Sequence, residues 1–182
     1  IQNFEKIRKE GYVYVDKTAL MYKLVKSGSY FFLSRPRRFG KSLLISTLEA
    51  YFEAKRDLFE GLAVETLEKD WVKRPVFHLD LNIGKYDTPD SLDKILNETL
   101  DYWESLYGTR SAETTLALRF AGVVGRAYEQ SGERVAILID EYDKPLLQAI
   151  GNEELQREFR NTLKPFYGVL KTMDGCIKFA LL

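Results

Sequence analysis

The stretch FLSRPRRFGKSLLISTLEAYF, residues 32–52, constrains this chain more than any other feature. An apolar run leads into a basic turn, the turn ends in Gly40-Lys41-Ser42, and a segment with helical spacing follows. In 41–54, Leu44, Leu48 and Tyr51 or Phe52 fall on one face. A triphosphate held where a strand turns into a helix needs backbone N–H groups, a cation and a hydroxyl for magnesium. The N–H groups would come from Arg38, Phe39, Gly40, Lys41, Ser42 and Leu43. Gly40 would let the backbone approach the phosphates, Lys41 would reach the β- and γ-phosphates, and the Ser42 hydroxyl would ligate Mg²⁺. The usual pattern opens with a glycine that would fall at position 35, where this chain has Arg35 followed by Pro36. Arginine takes up positive φ less cheaply than glycine, so the entrance of the turn must differ from the common form. Pro36 lacks an N–H, but it sits where the phosphate cradle need not draw a donor.

A second motif decides between a phosphate site and a basic surface turn. VAILIDEYD, residues 135–143, places Asp140 and Glu141 at the C-terminal end of an apolar strand, where open α/β sheets bind ligands. An aspartate there can hold Mg²⁺, and the adjacent glutamate can polarise an attacking water. Two such motifs in this order point to a purine nucleoside triphosphate with magnesium.

The rest of the chain supports an α/β fold. YFFLS (30–34), PVFHLDL (75–81), VAILID (135–140) and CIKFALL (176–182) read as strands, and 41–54, 91–107, 113–130 and 152–171 read as helices. Pro89-Asp90-Ser91 is a helix-start signal, and Pro165 predicts a kink in the last helix. Strands alternating with helices predict a parallel sheet with helices on both faces. With 182 residues and 45% hydrophobic content, the chain can bury one substantial core. Lys+Arg and Asp+Glu are equal at 27 each, so no overall field favours nucleic acid or a membrane. A single cysteine, Cys176, excludes an intrachain disulfide and fits a reducing, cytoplasmic setting. No apolar run is long enough to span a bilayer. The chain opens on Ile1 and closes on the apolar run IKFALL, so it reads as part of a longer protein.

YVDKT (14–18), FLSRPRRFGKSLL (32–44) and ILIDEYDKP (137–145) together resemble the bacterial and archaeal AAA-ATPase-like family. The resemblance covers nearly the whole chain. In that family the loop typically reads RPRRFGKS, so Arg35 stands where the family itself lacks the first glycine. The resemblance implies a P-loop NTPase fold of the additional-strand (AAA/ASCE) type. The strand at 176–182 would then lie between those at 30–34 and 135–140. It implies Lys41 and Ser42 as the Walker A pair, Asp140 as the Walker B metal residue and Glu141 as catalytic base. Tyr14, Asp16 and Lys17 would stand near the adenine or ribose, with structural packing of the N-terminal segment equally open. It implies ATP as substrate, Mg²⁺ as cofactor, and a downstream PD-(D/E)XK nuclease-like domain as the chain's own partner, through which nucleic acid could be reached. A homo-oligomer stays open. Weak turnover is expected of residues 1–182 alone, because the sensor and finger groups of such ATPases are not evident here.

Other residues carry plainer readings. His78, the only histidine, has no partner histidine or cysteine for a metal and reads as structural. Asp143 beside Pro145 reads as a helix cap as readily as a metal contact. Arg35, Arg37 and Arg38 could neutralise phosphates, pair with Glu141 or touch nucleic acid. Two further functions compete with an ATPase: a nucleotide switch without turnover, and a nucleic-acid binder using the RPRR turn. The Asp140-Glu141 pair favours hydrolysis over the first, and the neutral net charge disfavours the second.

Overall fold

A computed structural model describes residues 2–34 and 40–182. In chain order the helices are α1 (Phe4–Lys9), α2 (Thr18–Ser27), α3 (Lys41–Phe52), α4 (Ala63–Leu67), α5 (Ser91–Tyr107), α6 (Leu116–Ser131), α7 (Lys144–Gln148) and α8 (Glu153–Thr172). The strands are β1 (Tyr30–Phe31), β2 (Val76–Asp80), β3 (Val135–Asp140) and β4 (Ile177–Leu181). All strand pairs are parallel and the order is β1-β4-β3-β2, so β4 separates β1 from β3, as the family resemblance implies.

Alternation along the strands divides the core in two. Val135, Ile137 and Ile139 of β3 and Phe77 and Leu79 of β2 pack with α5, α6 and α8. Ala136, Leu138, Phe179 and Leu181 face α1, α2 and α3 on the opposite side. All six residues of β3 are buried, which explains its unbroken apolar sequence up to Asp140. Within the first layer Phe120 stacks on Phe166 at 4.5 Å, joining α6 to α8. In the second, Phe179 meets Phe52 at 5.1 Å and fastens the end of α3 to β4.

Several boundaries differ from the sequence reading. The first strand is two residues long rather than five, although its ladder is prolonged by Leu33 N–H donating to Leu182 O at 2.7 Å. Helix α8 continues through Pro165 to Thr172. Helices α1, α2 and α4 were not anticipated. They are held by long-range contacts, such as Phe4 against Phe59, rather than by strong local periodicity. Asp143 occupies the N-cap position of α7, but its side chain makes no capping bond.

His78 is structural, as read. Its Nδ1 lies 3.3 Å from Glu49 Oε2, tying β2 to the middle of α3. Burial opposes charging of the imidazole, but the Glu49 hydrogen bond and charge outweigh it, with Asp80 and Asp140 adding, so its pKa is raised above 6.5. A raised folded-state value means the stabilisation is complete below 6.5 and is lost as pH climbs through the raised value. The stability advantage over His78→Gln, measured by urea unfolding, should therefore be largest near pH 6 and shrink steadily toward pH 8, approximate bounds set by the ordinary histidine value. An advantage that grows with pH would contradict the ion pair.

Candidate active site at the C-terminal edge of the sheet

Strand alternation aims Asp140. Ala136 and Leu138 face α3, so the residue two further on points the same way, toward the start of that helix. There the Ser42 hydroxyl donates to Asp140 Oδ2 at 2.8 Å. Asp140 is only 5% exposed, and its second oxygen, Oδ1, is enclosed with no hydrogen-bond partner among the described residues. A buried carboxylate oxygen without a donor is costly, and such an atom in a folded protein calls for an electropositive partner. The sequence reading had placed Ser42 and Asp140 together as metal residues, 98 positions apart in the chain, and the structure brings them into contact.

Gly40 precedes α3 in the left-handed region, at φ 77° and ψ 19°. A Cβ there would meet nothing within 4 Å, so glycine is favoured by backbone conformation and not by crowding. Helix geometry leaves the N–H groups of Lys41, Ser42 and Leu43 without an acceptor one turn back inside α3, directed out of its start. Lys41 Nζ lies 5.5 Å from the centroid of the Tyr142 ring, a cation–π approach. Tyr142 is fixed in turn, because its carbonyl accepts the Tyr167 hydroxyl at 2.7 Å. Burial pushes the Tyr167 phenol well above the ordinary range, so it stays a donor. Arg37, Arg38 and Phe39, also read as nucleotide contacts, lie outside the described residues, as do Arg35 and Pro36.

Glu141 adopts φ 58°, one of two non-glycine residues with positive φ among those described. That conformation costs of order 1–3 kcal/mol and concentrates at functional sites. Its carboxylate makes no hydrogen bond or ion pair with the described residues, while its carbonyl accepts Lys144 N–H at 3.0 Å to close the turn. Asp80 is in register with Asp140 on the neighbouring strand, and its Oδ1 accepts Asn82 N–H at 2.8 Å. Lys144 Nζ reaches the Asn82 carbonyl, so the turns after β2 and β3 are linked. Neither Tyr142 nor Asp80 was singled out from the sequence. The alternation of PVFHLDL did carry the Asp80 signal, since it puts His78 and Asp80 on one face.

The YVDKT segment is placed differently. Asp16 Oδ1 accepts the N–H and hydroxyl of Thr18 at 2.9 and 2.6 Å, and Oδ2 accepts Ala63 N–H at 2.8 Å. Both oxygens thus tie the start of α2 to the start of α4. Burial opposes ionisation of Asp16, but these bonds outweigh it and lower its pKa. Tyr14 meets Phe4 edge-on at 5.2 Å, and burial raises its hydroxyl pKa. Lys17 immediately precedes α2 and makes no side-chain cap. No hydrogen bond joins these three to Ser42 or Asp140 among the described residues.

A relative described as an uncharacterized protein in the vnfD 5′ region of Azotobacter chroococcum is 39% identical over 184 residues, which cover all of this chain. The chain spans 36% of that relative's length. No solved structure matches. Residues 1–182 as a whole match the family described as predicted AAA-ATPases, and the chain belongs to this AAA-ATPase-like family.

Proposed function

We propose that this chain binds ATP with Mg²⁺ at the start of α3 and hydrolyses it, in a P-loop fold of the additional-strand type. The observation that carries the reading is the Ser42–Asp140 hydrogen bond, with Asp140 Oδ1 enclosed beside it and without a partner among the described residues. Placement of β4 between β1 and β3 supports the additional-strand assignment.

The donor set fits magnesium, a hard cation that prefers a hydroxyl and a carboxylate and keeps several waters. Ser42 and Asp140 would hold it, and when bound it neutralises charge on the β- and γ-phosphate oxygens. The N–H groups at the start of α3 and its dipole favour the phosphates. Lys41, lifted from Tyr142, adds a charge-assisted bond to the transferring phosphate. The carboxylate of Glu141, free of partners among the described residues and presented by its left-handed turn beyond the sheet, would orient a water and accept its proton. That carboxylate favours hydrolysis over a switch that only binds. In a longer protein, turnover would control a nuclease-like or nucleic-acid-acting domain, as the family resemblance suggests.

Three outcomes test this reading. Lys41→Ala should weaken ATP·Mg²⁺ binding about 10–100-fold in calorimetry, the scale of hydrogen bonds to charged groups, with an unchanged circular dichroism spectrum. Unaltered affinity would place the nucleotide elsewhere. Glu141→Gln should keep that affinity and lose about 10²–10⁴-fold in phosphate release. Asp140→Asn should abolish the magnesium dependence of ATP binding while the protein without nucleotide melts at the same or a higher temperature, since a desolvated carboxylate has been neutralised. A lower melting temperature would instead make Asp140 a stabilising structural charge.

A further inference from the structure

Asp80 closes β2 as Asp140 closes β3, and the two are register partners on adjacent parallel strands. Paired strands run about 4.8 Å apart, so the two backbones stand that close at the sheet edge. The side chains also share a face. Phe77 and Leu79 pack with α5, α6 and α8, which leaves Val76, His78 and Asp80 on the α3 side with Ala136, Leu138 and Asp140. His78 agrees with this placement, because it meets Glu49 of α3 and because Asp80 and Asp140 both raise its pKa.

The turn after β2 holds Asp80 in place. Its Oδ1 accepts Asn82 N–H at 2.8 Å, the Tyr86 hydroxyl donates to the Leu81 carbonyl at 2.6 Å, and Lys144 Nζ lies 3.1 Å from Asn82 Oδ1. Among the described residues, Oδ2 accepts from no donor and neither oxygen pairs with a cation. The residue is part-exposed, so this oxygen is not sealed in as Asp140 Oδ1 is. Like charges opposite one another on paired strands are unfavourable. Two carboxylates set side by side in this way are stabilised by a cation from outside.

We propose that Asp80 is a second acidic residue of the magnesium site, accepting hydrogen bonds from water on the ion while Ser42 and Asp140 hold the ion itself. The proposal rests on the ATP·Mg²⁺ reading above. Magnesium gives up its waters reluctantly, and each retained water can donate to an oxygen about 2.7 Å beyond it, a reach that a neighbouring strand covers. Asp80 is thus a positioning residue, acting on the nucleotide through the ion. Its other role, capping the turn through Asn82 N–H, needs an oxygen but no charge.

That difference supplies the test. Asp80→Asn keeps an amide oxygen for Asn82 N–H and removes the charge, and Asp80→Ser gives an independent uncharged replacement. Calorimetry compares both with the parent for binding of the β,γ-imido analogue of ATP, in saturating Mg²⁺ and in EDTA. With Mg²⁺, both variants should bind about tenfold or more weaker, the low end for a hydrogen bond to a charged group. In EDTA they should bind as tightly as the parent or tighter, since a negative charge beside the phosphates is gone. A purely structural role would weaken both affinities alike. Equal losses with and without Mg²⁺, or no loss with it, overturn the proposal and leave the ATP·Mg²⁺ reading standing. A parent whose affinity ignores Mg²⁺ overturns both.

Discussion

Asp140 is a carboxylate at the end of a strand whose other five residues are buried hydrophobic side chains. Removing such a group from water is unfavourable unless donors or cations surround it. One oxygen is satisfied by Ser42, and this single bond joins the start of α3 to the end of β3. The arrangement depends on everything around it. Strand alternation must point Asp140 toward α3, and Leu48, Ile45 and Leu138 must pack the helix against the sheet at the right height. The other oxygen has no donor among the described residues, at the sheet edge where ligands of α/β proteins bind.

The turn after β3 adds a second departure from the local optimum. Glu141 sits in the left-handed region, with its carboxylate free of described partners and its carbonyl engaged by Lys144. The next residue, Tyr142, carries Lys41 over its ring and is fastened to α8 through Tyr167. Backbone strain of this kind persists only where the surroundings over-determine it. Here the packing of α7 and α8 and the link from Lys144 to the turn after β2 supply that support. The two groups assigned to chemistry, Lys41 and Glu141, are thus positioned through one short turn.

Helix α3 links two polar ends of the molecule. Its first turn meets Asp140, and its last turn lines a cavity near Lys178. Between them, Glu49 pairs with His78 on the edge strand. Buried Glu68, bonded to Tyr51 and close to Lys26, is the charge that the lower end satisfies, while the enclosed Trp71 N–H has no acceptor among the described residues. The opposite layer around Phe120 and Phe166 carries its own buried charge, because Glu104 of α5 is paired with Arg119 of α6.

The sequence by itself determined the parallel α/β plan and three of the four strands to within a residue or two, and it singled out both Ser42 and Asp140. These follow from signals that are local in the chain. A fully buried strand must be apolar along its length, and a glycine-lysine-serine turn between an apolar run and a helical segment is a signal contained in one short window. The short helices α1, α2 and α4 escaped because their stability comes from contacts such as Phe4 with Phe59, which no window of sequence contains. The first strand was read too long because Phe32 and Leu33 are apolar, although Phe32 is 72% exposed. Only the tertiary structure decided that Asp16 is spent on the starts of α2 and α4, that Tyr142 lies under Lys41, and that Asp80 stands level with Asp140. It alone revealed the left-handed conformation of Glu141. Each of these depends on which side chains from distant segments arrive at one point, and that is set by packing in three dimensions rather than by any residue's neighbours along the chain.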